Sequence, residues 1–299
     1  MKRVILFIGY VFLAIGMIFA LVVFEINEIP GVGSIVGIAL GFYLPFVWRK
    51  LIDFTDHTQW QVNLRRLLRG KVIKKTDAIR ISFAYLFRIK VDGKYLLVLN
   101  GRGTNKFQPV GGAYKFDEHE EKILKTDFEA FEDGNISQDE FTHRDYRLNV
   151  PVKNLKKFVK RFNETSHREN LPDLSREFIE ELVETDVLKF DKIKYRYCGR
   201  HFTNIERSRH FKCYELLMAD IVELELDDNQ LTMIRKLINN DDNYYRFVDV
   251  DEIETCGIIR GTEKLLEVIG DHSFKMLEKN ESELQKSKMV GEEFTVKIL

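Results

Sequence analysis

The chain has 299 residues, 44% of them hydrophobic and 31% charged, which excludes wholesale disorder and allows one large folded unit or two smaller ones. Five prolines, 18 glycines and no repeat with a period of roughly 20 to 50 residues exclude collagen-like, linker-rich and solenoid architectures. The formal net charge of -1 gives no global electrostatic reason to expect duplex nucleic acid as a partner. Cys198, Cys213 and Cys256 are too far apart for a C-x-x-C metal pair and read as reduced, buried thiols of a cytosolic compartment.

Residues 4 to 24 form a 21-residue run without a charged side chain, and a second apolar run covers residues 31 to 48. The first run is long enough to span a bilayer, and the pair predicts a transmembrane helical hairpin over residues 1–50. Lys2 and Arg3 precede it and Arg49 and Lys50 follow it, whereas the connection carries Glu25 and Glu28. The positive-inside rule then places both ends in the cytoplasm, as expected of a multi-pass protein of the bacterial inner membrane. Gly33, Gly37 and Gly41 recur every fourth residue, a face on which helix backbones approach closely. It serves either packing within one hairpin or association between chains, and a homo-oligomer is the sharper expectation.

A basic juxtamembrane stalk, 51–75, has helix-like spacing that ends near Gly70, and residues 76–299 form the cytosolic domain. Ile79 to Val91 and Tyr95 to Asn100 read as strands joined at Asp92-Gly93, a tight-turn dipeptide. Gly111 and Gly112 follow, where a side chain would obstruct backbone geometry or ligand approach. Residues 113–170 are charged, contain the amphipathic stretch Val152 to Phe162, and read as an inserted subdomain. A helix is expected from about Pro172 to Glu184, strands over Lys192 to Cys198 and Phe211 to Leu226, and a helix around Asn229 to Asn239. A short extended piece, Tyr245 to Val250, precedes a last helix near Thr262 to Ile269, and the tail after Lys275 reads as loose. The class is α+β, a mixed α/β sandwich behind the hairpin.

Chemistry concentrates in the expected helix after Pro172. Leu174, Phe178 and Leu182 share one helical face, and Glu177, Glu180, Glu181 and Glu184 share an adjacent arc. Glutamates facing one another at i,i+3 and i,i+4 repel, so a cation is expected among them. Hard oxygen ligands at this spacing suit Mg²⁺ or Mn²⁺, which could in turn hold a diphosphate. The turn between the two later strands carries Arg200, Arg207 and Arg209, candidates for phosphate contact or an ordinary solvated loop. No P-loop and no Ser-His-Asp or Cys-His arrangement stands out.

Gly111-Gly112 followed by Arg176-Glu177-Phe178-Ile179-Glu180-Glu181 resembles the Nudix box, whose core reads G-x5-E-x7-R-E-U-x-E-E-x-G-U. The resemblance implies that Glu177, Glu180 and Glu181 ligate a divalent metal and that Arg176 braces the loop and helix. Two departures stand out: about 60 residues separate the glycine pair from Arg176, and Val183 takes the place of the last box glycine. The whole layout resembles the SMODS-associated NUDIX proteins of CBASS anti-phage systems. That implies an effector that binds a cyclic nucleotide made by a partner CD-NTase and then disrupts the inner membrane in abortive infection; Gly111, Gly112 and the three arginines are the candidate ligand contacts read from the residues themselves. A membrane-anchored hydrolase of a nucleoside diphosphate compound and a structural membrane adaptor remain the other readings.

Overall fold

A computed structural model describes residues 2–27, 31–55, 59–101, 105–134, 142–238, 240, 242–258, 261 and 269–298, with side chains described from residue 9 onward apart from 25, 32, 33, 35, 48–55 and 59. The chain divides into two units, Met1–Val62 and Asn63–Leu299.

In the first unit, α1 (Lys2–Ile26) and α2 (Val32–Thr55) pair. The Tyr43 hydroxyl donates to the Tyr10 carbonyl at 3.4 Å, and Phe46 meets the Tyr10 ring edge-on at 5.4 Å. A Cβ on Gly37 would come 3.8 Å from Leu21 Cδ1, so this glycine faces α1, whereas a Cβ on Gly41 would meet nothing within 4 Å. Gly33 lies outside the described side chains. Among the described residues no helix is long and apolar enough to cross a membrane. The two spans and the multi-pass inner-membrane location expected above are therefore not carried by those residues. The described side chains of α1 begin at Gly9, inside the apolar run that starts at residue 4. Phe12, Phe19 and Phe42 are each at least two-thirds exposed, at 69%, 70% and 79%.

α3 (Gln59–Arg69) ends just before Gly70, as its spacing predicts. β1 (Ala78–Arg88) is the axis of the second unit, followed by β2 (Lys90–Val91) and β3 (Lys94–Leu99). Asp92 and Gly93 both have positive φ, 51° and 81°, the backbone of a tight hairpin turn. Next come β4 (Phe107–Gln108), β5 (Gly111–Ala113), α4 (Glu118–Phe128), β6 (Phe131–Glu132), β7 (Arg147–Pro151) and α5 (Val152–Glu164). After α6 (Arg176–Phe178), which continues as a π-turn over Ile179–Val183, stand β8 (Lys192–Phe202), β9 (Glu206–Arg207), β10 (Tyr214–Glu225) and α7 (Asp228–Ile238). β11 (Tyr245–Val248), α8 (Val250–Glu254) and β12 (Glu293–Lys297) complete the set.

The larger sheet runs β12-β8-β10-β1-β7-β6, with β5 also on β1 and β9 on β10; the smaller runs β11-β3-β2, with β4 on β3. Only the β1–β10 pair is parallel among the described strands. Alternate residues of β1 serve opposite faces. Phe83 packs on Phe162 of α5 at 4.9 Å and Phe87 on Phe178 of α6 at 5.8 Å. On the other face Leu86 joins Cys198, Ala219, Ile221 and Leu284.

Two expectations are corrected. Residues 113–170 do not stand apart as a subdomain, because β7 pairs with β1 and α5 buries Leu155, Phe158 and Phe162 in the main core. The tail after Lys275 is not loose: it forms two 3-10 turns and the edge strand β12, which pairs with β8 from Lys192 to Arg196. The helix expected over Thr262 to Ile269 lies mostly outside the described residues. Of the three thiols only Cys198 is buried; Cys213 is half-buried and Cys256 exposed.

Candidate functional site: a buried carboxylate cluster

Leu174, Phe178 and Leu182 are fully buried, and this anchoring turns the adjacent glutamate arc toward β5. The π-turn from Ile179 widens the helix there, a distortion that occurs mostly as a single turn and often at functional sites.

The glycine pair is brought back to this helix. Gly111 has φ +145°, and a Cβ on it would lie 2.2 Å from the Tyr85 carbonyl oxygen, so its backbone cannot carry a side chain there. A Cβ on Gly112 would lie 1.8 Å from Oε1 of Glu177. The Glu177 carboxylate occupies the space that the missing side chain leaves. The Gly111 amide donates to Oε2 of Glu181 at 2.9 Å.

Arg176 stands at the centre of the cluster. Its Nη1 donates to Glu177 at 2.6 Å and to Glu180 at 3.3 Å, its Nη2 to the Ala113 carbonyl at 2.8 Å, and its Nε to Glu169 at 2.7 Å. One guanidinium thus ties α6 to the end of β5, the bracing that the motif implies. Glu169, absent from the sequence reading, also accepts the Lys115 amide at 2.8 Å. It is an acidic partner upstream of the arginine, seven positions before Arg176 and one short of the spacing of the first glutamate in the box.

The electrostatics follow from burial. Desolvation pushes the Glu181 carboxyl up to about 8, with Glu177 adding to the rise and the Gly111 amide and Gln108 opposing it. Desolvation likewise raises Glu177, against the pull of Arg176. Negative charge here exceeds what Arg176 neutralises. Among the described residues no three His, Cys, Asp or Glu side chains are placed to hold a metal ion, because Glu177 and Glu180 each turn an oxygen to Arg176 and Glu181 turns one to Gly111. The donor set itself is three hard carboxylates on adjacent turns, the chemistry of a Mg²⁺ or Mn²⁺ site.

The three loop arginines separate. Arg200 is paired with a carboxylate: Asp220, fully buried, accepts its Nε and Nη2 at 2.8 Å each, together with the hydroxyls of Tyr197 and Tyr114, also at 2.8 Å. Burial would raise the Asp220 carboxyl, but Arg200 and the two hydroxyls hold it below its usual range. Arg207, on β9, and Arg209 are exposed. The Tyr195 hydroxyl, on β8, donates to the Leu171 carbonyl at 2.8 Å.

No curated protein and no solved structure is significantly similar to the chain. The family model of the SMODS-associated NUDIX domain matches residues 78–277, a span that runs from β1 past α8 and holds the glycine pair, Arg176 and all three glutamates. With two-thirds of its length matched and the box residues drawn together by the fold, the chain belongs to the SMODS-associated NUDIX domain family.

Proposed function

We propose that this protein is a membrane-associated effector of an anti-phage system in which the Nudix-type domain senses a cyclic nucleotide. The observation that carries this reading is the packing of Glu177 and Glu181 against Gly111 and Gly112 inside the family-matched span. A side-chain-free strand edge next to uncompensated carboxylates suits a phosphate held through a divalent cation. Mg²⁺ or Mn²⁺ would be held by the oxygens of Glu177, Glu180 and Glu181 not turned to Arg176 or Gly111, and would supply the positive charge that draws phosphate oxygens. Arg176 and Glu169 keep the helix and β5 in register, so the protein's own contribution is orientation and exclusion of water.

The apolar hairpin supports the membrane part. The uncharged run from residue 4 to 24 is of bilayer-spanning length, and the exposed rings of Phe12, Phe19 and Phe42 suit lipid better than water. Both ends would lie in the cytoplasm, where a CD-NTase product reaches the domain, and association of hairpins between chains would disturb the bilayer. The buried Glu181 favours a second reading, hydrolysis of a nucleoside diphosphate compound, because a carboxyl shifted toward neutrality suits a general base.

The test is dye leakage from liposomes carrying the full-length chain, with cyclic di- and trinucleotides and Mg²⁺, alongside an assay for phosphate release. Leakage dependent on one cyclic nucleotide, without its consumption, is expected. Turnover of a nucleoside diphosphate without leakage selects the hydrolase.

A further inference from the structure

On the face of the sheet opposite Glu177, a row of small side chains ends at a cluster of polar groups that satisfy no one. Ala113 pairs with Ala84, Ala84 with Ala219, and Ala219 with His201, and laterally paired residues share a face. Gly112, one residue from Ala113, points the other way, to Glu177. Ala84 is half-buried, so solvent reaches this floor. The 3-10 turn Ser273–Met276 packs on β1 and β10, with Phe274 edge-on to His201 at 6.0 Å.

Three side chains here lack partners. Ser273 is 0% exposed and its hydroxyl has no hydrogen-bond partner; Nδ1 of His201 is buried and also unpartnered. Lys275 is 8% exposed, and among the described residues its ammonium makes no hydrogen bond and no ion pair. Buried charges are ordinarily paired, since desolvating a lone ammonium is costly. Burial pushes Lys275 down to about 8, with the more distant Asp271 and Glu215 opposing, and pushes His201 down to about 4, helped by the charge of Lys275. Both acids have other neighbours: Glu215 pairs with Arg80 at 3.0 Å, and Asp271 lies 3.6 Å from His210 and 3.4 Å from His272. Neither accounts for Lys275.

We propose that Lys275, Ser273 and His201 form a second ligand site, on the face of the sheet away from the carboxylate cluster, that takes a phosphate group. Three otherwise idle groups are satisfied at once by one ligand with several acceptor oxygens. The ammonium supplies the charge, the hydroxyl donates, and a neutral imidazole donates from Nδ1 in the corresponding tautomer. The site needs no divalent cation and does not depend on the reading of Glu177, Glu180 and Glu181.

The test is a titration of the full-length chain in detergent with inorganic phosphate, in chelator and at constant ionic strength set by chloride, followed by calorimetry and by melting temperature. A saturable phosphate response is expected in the wild type and in Glu181→Gln. Lys275→Met should weaken phosphate roughly 10- to 100-fold, the worth of one charge-assisted hydrogen bond, and should melt no lower than wild type without phosphate. Ser273→Ala should weaken it several-fold and serves if Lys275→Met does not fold. No saturable response in the wild type, equal affinity in wild type and the Lys275 or Ser273 variant, or loss of the response in Glu181→Gln would each overturn the proposal.

Discussion

A Cβ placed on Gly112 would lie 1.8 Å from Oε1 and 2.3 Å from Cδ of Glu177, a carboxylate that is 9% exposed and already held by Arg176 at 2.6 Å. The two positions, 65 apart in sequence, share one volume. Gly112→Ala therefore pushes the carboxylate off its guanidinium and should cost about 1–3 kcal/mol, as for overpacking of a filled site. The fold should survive, because the obstructing atoms end a side chain. Gly111→Ala meets the Tyr85 backbone at φ +145° and should cost more. Urea unfolding of Gly112→Ala, Glu177→Ala and the double variant checks this: the pair should be non-additive, with the double variant less destabilised than the sum.

The carboxylates are open to a direct measurement. In Glu180→Gln/Glu181→Gln, Mn²⁺ affinity followed by calorimetry or paramagnetic relaxation should fall by more than about tenfold, the lower end for altering a partner of a metal site. In chelator the variant should be equally stable or slightly more so, because like-charge contacts of roughly 0.2–0.5 kcal/mol each disappear. A clear loss of stability with unchanged Mn²⁺ affinity would assign these groups to structure alone.

Asp220 and Arg200 form a bidentate pair around a fully buried carboxylate. Asp220→Asn leaves the guanidinium without its counter-charge and should cost about 3–5 kcal/mol, read by chemical denaturation. Because the carboxyl sits below its usual range in the folded chain, its stabilisation is present above the ordinary Asp pKa and is lost as pH falls through the lowered one. The variant should lack that acid limb.

On His201 a falling pH creates a charge where on Asp220 it removes one, yet stability responds in the same direction. Burial, with Lys275, lowers it from 6.5 to about 4, so the unfolded chain binds a proton in that interval and the folded chain does not. Stability should fall as pH drops from about 6.5 toward 4. Melting temperatures of wild type and His201→Gln across this window should show the wild type losing stability relative to the variant toward the acid end, with the flatter profile in the variant.

The glycine stripe of α2 divides by contact. Gly37 faces Leu21 of α1 and Gly41 faces open space. Gly37→Leu should disturb the pairing of the two helices within one chain, whereas Gly41→Leu should leave that pairing intact and reduce crosslinking between chains in liposomes. Equal crosslinking in wild type and Gly41→Leu would remove the open glycine from the contact.

What the amino-acid order determined on its own was local. The tight turn at Asp92-Gly93, the strands around it, and a helical turn with Phe178 and Leu182 inward are written in short-range pattern, because turn chemistry and burial periodicity act over a few residues; the helix expected from Pro172 starts only at Arg176, since Leu171–Asp173 closes as a 3-10 turn and Leu174 is extended. The same periodicity placed Glu177, Glu180 and Glu181 on one arc. Only the tertiary structure decided which groups meet across the chain. It closed the gap between Gly112 and Glu177, gave Arg176 a third acid in Glu169, and paired Arg200 with Asp220, leaving Arg207 and Arg209 exposed. It drew the polar tail into β12 and set Phe274, between Ser273 and Lys275 on one 3-10 turn, edge-on to His201. These outcomes depend on strand register and on long-range burial. A one-residue shift in register would send the strand residues among these, Gly112, Arg200, His201 and Asp220, to the other face of the sheet.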